Sequence, residues 1–363
     1  MRVMILANND VGLYKFRKEL IEKLLEDHEV YICLPDGDFI PKLCSMGARF
    51  ISCDLLDRHG TNPAKELRLI AYYRNLLKKI KPDIVFTYTI KPNVYGGIAC
   101  ASLGICYVEN ITGLGTAVEN DGFMQKITLA LYKIGLRKAQ KVFFQNTENR
   151  DFMLAKGIVR GHYDLLPGSG VNLNNYTVSE YPNGETIDFV FVSRIMKEKG
   201  IDQYLDAAKA IKNKYPETRF HICGFCEQAY EEKLNKLDAN GTIIYHGLVK
   251  DMAAIYKQMS CTIHPTYYPE GMSNVLLESC ACGRPIITTN RSGCREVVDD
   301  GVNGYVIEER NSEDLIEKIE LFLSKSRDER KRMGLAGRKK VEKEFNRQII
   351  IGKYLEEMKS INC

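Results

Sequence analysis

A chain of 363 residues, 45% hydrophobic and 27% charged, has the balance of a soluble globular protein and the length for about two domains. No apolar run reaches the roughly 18 residues of a membrane span, and the apolar part of MRVMILANND is too short for a signal peptide. A net charge of +4, no tryptophan and no interleaving of aromatic and basic residues argue against nucleic-acid binding. The charge is uneven: residues 1–168 hold 23 Lys and Arg against 18 Asp and Glu, the remainder 28 against 29. A basic first half suits an anionic membrane surface or a phosphate-bearing ligand, or is simply a soluble surface.

The first half alternates strand and helix. Strands are expected over 3–7, 30–34, 83–87, 105–108 and 142–144, and helices over 14–25 and 92–102, the latter with Pro92 in its first turn. This alternation argues a parallel, doubly wound α/β sheet, with ligands at the C-terminal strand ends. Gly12 lies in a turn after the first strand, where it either admits a phosphate close to the backbone or makes an ordinary turn. The run Glu109, Asn110, Ile111, Thr112, Gly113, Leu114, Gly115, Thr116 reads as a polar, Gly-rich loop after a strand. It is not a dinucleotide fingerprint, because the further glycine and the ribose-binding acid are missing. Helical stretches 65–81 and 123–141 each carry an apolar stripe with basic residues. Such a stripe packs on the sheet or lies on an anionic membrane, and peripheral membrane contact through this half is expected.

A stretch without helical or strand period, 167–186, marks a boundary. A second α/β set follows. The strand 187–192 leads into Arg194 and Lys199, two cations that can neutralise a diphosphate. Strands 220–224 and 243–246 follow, with His246 at the end of the latter. The segment 261–283, CTIHPTYYPEGMSNVLLESCACG, is a strand, a turn and a helix from about Ser273. Glu270 sits in the turn and Glu278 in the apolar helix, where a carboxylate needs a partner. Gly271, Met272, Ser273, Asn274 and Val275 offer backbone N–H groups at the helix start. After it come a strand over 284–289, a hairpin turn over 299–304 and closing helices.

The twelve cysteines are scattered through apolar elements, as reduced thiols would be, and Cys223–Cys226 lacks a second CxxC pair for zinc. Asp36 and Asp38 imitate a metal-binding DxD, but Pro35-Asp36-Gly37 is a turn, so no metal is expected.

Together these motifs resemble the retaining glycosyltransferases of family 4, with the GT-B fold. Glu270 and Glu278 in PEGMSNVLLE match the E-x7-E element, Arg194 and Lys199 in FVFVSRIMKEKG match the strand–Arg–Lys element, and Pro167, Gly168 and Gly170 to Asn172 in LPGSGVN match the loop before the second domain. The TGLG run and TIKPNVYGGIA (89–99) are similar to the branch extending undecaprenyl-diphosphate-linked sugars in capsule, O-antigen or N-glycan assembly. The resemblance implies two Rossmann-like domains facing across a cleft: 1–168, binding the acceptor, and 169–346, binding the nucleotide sugar. The last helix, 347–363, crosses back to the first domain. It also implies transfer of a hexose or N-acetylhexosamine from a UDP-sugar to a sugar on a polyprenyl diphosphate, with retention, without metal or other cofactor, in the cytoplasm at the inner face of the plasma membrane.

By this correspondence Arg194 and Lys199 hold the diphosphate and Glu270 the transferred sugar. Glu278 takes the ribose hydroxyls. Gly12, His246 and residues Gly271 to Val275 line the donor site, and Glu109, Asn110 and Thr112 face the acceptor. Many members place a histidine in the first half of the site; this chain has none between residues 59 and 162. A UDP-sugar 2-epimerase of the same fold and a non-catalytic nucleotide-sugar-binding protein are the alternatives.

Overall fold

A computed structural model describes residues 1–56, 62–115, 118 and 122–360. The chain forms two compact units: Met1–Ser169 together with the described residues from Gln348 onward, and Gly170–Arg347.

In the first unit seven parallel strands stand in the order β3-β2-β1-β4-β5-β6-β7. They are β1 (Arg2–Leu6), β2 (Glu29–Leu34), β3 (Arg49–Ser52), β4 (Ile84–Tyr88), β5 (Cys106–Ile111), β6 (Lys141–Phe144) and β7 (Tyr163–Leu165). Both faces are covered by apolar residues and helices, as a parallel sheet requires. Chain order reverses between β1 and β4, the switch point of a doubly wound sheet.

The second unit repeats the scheme with six parallel strands, β10-β9-β8-β11-β12-β13. These are β8 (Ile187–Val192), β9 (Thr218–Cys223), β10 (Ile244–Gly247), β11 (Cys261–His264), β12 (Ile286–Thr289) and β13 (Gly304–Ile307). The switch point here lies between β8 and β11.

Two expectations need correction, and the boundary stretch gains a structure. The first helix begins at Asp10, not at residue 14, because the Asn9 side chain caps it by accepting from the Gly12 N–H at 2.6 Å. The 299–304 turn is not a hairpin: the strand after it, β13, runs parallel to β12. Asp-Gly chemistry makes a tight turn without deciding which strand pairs next. The stretch 167–186 has no regular period, yet beyond residue 170 it is fastened to the second unit. Fully buried Arg284 donates to Ser179 and Glu180 carbonyls, Arg338 to that of Tyr176, and Arg327 to those of Tyr181 and Pro182. Guanidinium forks here do the work of a strand ladder.

The helix Arg347–Lys359 packs on the first sheet. Ile350, Ile351, Tyr354 and Met358 share one face by helical spacing and join the core with Phe86, Val108 and Phe143. The Tyr354 ring stands edge-on to Phe86 at 5.2 Å and to Phe143 at 5.4 Å, and its hydroxyl donates to the Asn110 side chain. Lys353 and Lys141 add ion pairs to Asp164 and Glu357 at 2.8 and 3.0 Å. A Tyr354→Phe variant should lose about 1–2 kcal/mol, since the Asn110 oxygen is left without its donor. Calorimetric melting would read this, and an unchanged midpoint would show that the bond contributes nothing.

Candidate active site

The central strands of the second unit, β8 and β11, are neighbours, and their C-terminal loops touch. Gly200 has φ +78, and a Cβ there would lie 2.1 Å from the Pro265 carbonyl. The Tyr267 N–H bonds to the Glu198 carbonyl at 2.9 Å. This close approach sets Lys199, at the end of the short 3-10 turn Lys197–Lys199, against Glu270, with which it forms a buried ion pair. The Tyr268 ring lies beneath both cations, 4.5 Å from the Lys199 ammonium and 5.4 Å from the Arg194 guanidinium. Arg194 is also paired with Glu227.

His264, the last residue of β11, lies below this cluster. It is fully buried, and neither ring nitrogen meets a hydrogen-bond partner among the described residues. Burial, and then the Lys199 ammonium, push its pKa down to about 4, with Glu270 acting in the opposite sense. The imidazole is therefore neutral at pH 7 and adds no further positive charge.

From Glu270 the chain turns through buried Gly271, Met272 and Ser273 into the helix Asn274–Ala281. The turn is pressed onto Gly293, whose φ is +88 and whose added Cβ would meet the Gly271 carbonyl at 2.8 Å. The Ser273 N–H bonds to the Gly293 carbonyl at 2.8 Å. Glu278 falls one turn beyond Asn274 and Val275, on the same helix face. It is half-buried, with the Tyr256 hydroxyl 3.5 Å from its carboxylate. Tyr176 stands edge-on to Tyr256 at 6.3 Å, and its hydroxyl pKa is raised by burial and then by Glu278.

His246, exposed at the end of edge strand β10, is hydrogen-bonded to His221 at 2.9 Å, and His221 in turn to Asp188 at 2.9 Å. Arg194, Lys199 and Glu270 thus form one cluster, the helix start and Glu278 continue from it, and His246 lies two strands away from β8. Tyr268, His264, Glu227 and the Asp188–His221 pair were missed. Tyr268 could have been suspected as an aromatic two residues before a turn glutamate; the others depend on cross-strand register.

The remaining candidates belong to the first unit. Gly12 sits in the first helical turn, its N–H committed to Asn9. Strand β5 runs to Ile111 rather than ending at Val108, so Glu109 and Asn110 lie inside it and not in the following loop. A long polar strand end buried on both faces defeats an expectation based on polarity. Asn110 is buried and donates to the Thr87 carbonyl at 3.0 Å. Thr112 is half-buried just beyond the strand, and Thr116 lies outside the described residues.

Glu109 is fully buried, and its carboxyl oxygens meet no hydrogen-bond donor among the described residues. A Cβ on Gly97 would come within 2.3 Å of it. Desolvation raises its pKa well above the usual carboxylate range. The folded value exceeds the unfolded one, about 4.3, so Glu109 costs nothing below about pH 4 and destabilises increasingly as pH rises from there. Glu109→Gln should leave stability near pH 4 almost unchanged and raise it by an amount growing through about pH 5 to 7. A pH-independent difference in melting temperature would refute the neutral carboxyl.

The fold and this strand-end cluster define a two-unit parallel α/β protein with a group of paired cations and carboxylates at a switch point. Residues 177–340 match the glycosyl transferases group 1, and residues 2–146 the glycosyl transferase 4-like family. Spore coat protein SA of Bacillus subtilis is 30% identical, over 75% of this chain and 71% of its own. The N,N'-diacetylbacillosaminyl-diphospho-undecaprenol alpha-1,3-N-acetylgalactosaminyltransferase of Campylobacter jejuni is 27% identical over 98% of both chains. The crystal structure of HepE from Anabaena with UDP and glucose matches with a TM-score of 0.80 at 16% identity, over 99% of this chain and 100% of that one. The chain belongs to the group 1, or 4-like, glycosyl transferases and is a glycosyltransferase of GT-B fold.

Proposed function

We propose that this enzyme moves a hexose or N-acetylhexosamine from a UDP-sugar to a hydroxyl of a sugar carried on undecaprenyl diphosphate, in surface-polysaccharide or glycan assembly. The gathering of Arg194, Lys199 and Glu270 around the Tyr268 ring carries the reading. The Campylobacter relative, named for such a lipid-linked acceptor, supports it.

In this reading Lys199 and Arg194 exchange their carboxylate partners for the donor diphosphate. Glu270 is released to hold hydroxyls of the transferred sugar. The start of the helix Asn274–Ala281 adds backbone N–H groups to the phosphate, and Glu278 takes the ribose hydroxyls. The acceptor oxygen bonds to the anomeric carbon as the carbon–oxygen bond to the diphosphate breaks. The acceptor proton passes to the leaving phosphate on the same face, which gives retention without a protein nucleophile. The cations stabilise charge that grows on the leaving group, so no metal is needed. Lys199→Met, Arg194→Ala and Glu278→Gln should each slow transfer at least tenfold, about 1.4 kcal/mol. UDP release and glycolipid product, followed with EDTA present, measure this. Folded variants with undiminished turnover would remove the assignments, and activity abolished by EDTA would remove metal independence.

In this reading the enzyme meets its lipid-linked acceptor as a peripheral protein at the inner face of the plasma membrane; no described helix is long and apolar enough to cross one. Two helices were candidates for membrane contact. In Pro63–Ile80 the apolar residues Leu69, Tyr73, Leu76 and Leu77 are buried on the sheet. In Phe123–Gly135 the pattern is inverted: Gln125, Tyr132 and Gly135 face inward, while Phe123 is 78%, Met124 48% and Ile134 55% exposed. Lys126 and Lys133 on this helix, and Arg137 and Lys138 in the 3-10 turn after it, are also exposed. This second helix is the membrane face in our reading, its cations drawn to anionic headgroups. Replacing Phe123, Ile127 and Ile134 with serine should reduce flotation with anionic liposomes at least tenfold, given about 1.5–3 kcal/mol for each buried apolar side chain. Equal partitioning of wild type into neutral vesicles would discard the electrostatic part.

A further inference from the structure

We propose that Asp188, His221 and His246 form a relay that selects the base of the nucleotide donor, favouring one with a ring N–H, such as uracil, over cytosine. The inference rests on the reading of a nucleotide-sugar donor. The three residues stand on one face of adjacent strands β8, β9 and β10. Asp188 and His221 are buried and His246 is exposed at the strand end. His221 Nε2 lies 2.9 Å from Asp188 Oδ1, and His221 Nδ1 lies 2.9 Å from His246 Nε2. The two imidazole planes are parallel within 6°.

Hydrogen-bond chemistry gives this chain a direction. A carboxylate only accepts, so His221 carries its proton on Nε2. In the neutral chain His221 Nδ1 is then a lone pair, and His246 must donate to it from Nε2. That leaves His246 Nδ1 as an acceptor, on a residue that is exposed, with no hydrogen bond from a described residue. Burial, and then His221, lower the His246 pKa, which favours its neutral form. Asp188 and His221 are positioning residues: they fix which nitrogen of His246 bears the proton.

The surroundings fit a planar base. The C-terminal ends of strands in an open parallel sheet are where ligands bind. Here the loops after β9 and β10, joined by the Gly224 N–H to Gly247 carbonyl bond at 2.7 Å, leave Phe225 48% and Leu248 69% exposed. The loop carrying Phe225 is tied to the diphosphate cluster at two points: its carbonyl accepts from Ile195 N–H at 2.8 Å, and Glu227 pairs with Arg194. Uracil N3 is a donor and meets a lone pair at His246. Cytosine N3 is an acceptor and would face another acceptor, leaving both unpaired.

The test is calorimetric binding of UDP, CDP and N3-methyl-UDP to the full chain. The wild type should bind CDP and N3-methyl-UDP at least tenfold more weakly than UDP, because each lacks the N3–H. His246→Ala should weaken UDP and bring the three within about threefold of one another. Asp188→Asn can reverse the relay, since its amide donates to His221, so the preference for UDP over CDP should shrink or invert in a protein of unchanged fold. UDP binding without discrimination in the wild type, or discrimination untouched in both variants, would overturn the selector alone. Absence of binding by all three nucleotides would overturn both the selector and the donor reading.

Discussion

The chemistry of the second unit depends on how closely two loops approach at the end of its central strands. Gly200 meets the Pro265 carbonyl at a distance that no side chain would permit. This contact brings together an ammonium and a carboxylate separated by 71 residues of sequence. A buried ammonium needs an anion, because desolvation of a lone charge costs several kcal/mol. The protein supplies one of its own in Glu270. The neutral His264 beneath them keeps the local balance at one cation to one anion. A cluster built in this way carries its charges in compensated pairs and can fold without a bound ion.

Much of this is legible in the sequence. Arg194 and Lys199 stand out as cations after a strand, Glu278 as a carboxylate in an apolar run, and Glu270 by its E-x7-E spacing to Glu278, which resembles family 4. The alternating periods gave the two parallel sheets. What stayed hidden depends on register or on side-chain forks. Asp188, His221 and His246 are scattered in sequence and meet only because β8, β9 and β10 pair in parallel. The segment 171–186 has no period because the side chains of Arg284, Arg327 and Arg338, not a neighbouring strand, take up several of its carbonyls. Asn9 moved a helix start by four residues with one side-chain bond. Glu109 looked like a loop residue because burying an unpaired carboxyl is unfavourable, and the absence of a Cβ at Gly97 is what makes room for it.

The two amphipathic helices of the first unit show what a pattern leaves open. Both carry an apolar stripe and basic residues, and the same periodicity predicts the same burial. In Pro63–Ile80 the stripe faces the sheet. In Phe123–Gly135 the inward face is built from Gln125, Tyr132 and Gly135, with Leu129 and Leu131 partly buried beside them. A Cβ on Gly135 would stand 2.9 Å from the Val94 backbone, so the helix is seated against its neighbour by its glycine. The Tyr107 hydroxyl bonds to the Gly135 carbonyl at 2.7 Å, which fixes the helix about its axis. With that rotation set, Tyr132 enters the core while Phe123, Met124 and Ile134 are turned outward. Spacing defines a face; only packing decides which way it turns.

The return of Arg347–Lys359 to the first sheet ties folding to the order of synthesis. The strands of the first unit are complete once Leu165 has emerged, but the face holding Val3, Ile5, Phe86 and Phe143 is closed by residues as late as Met358. At roughly 5–20 residues per second the ribosome needs on the order of 10–40 s to cover that gap. For that interval the nascent first unit exposes an apolar sheet face while the entire second unit is made. A helix translated after the whole second unit is therefore the one that ends its exposure to chaperones and to self-association.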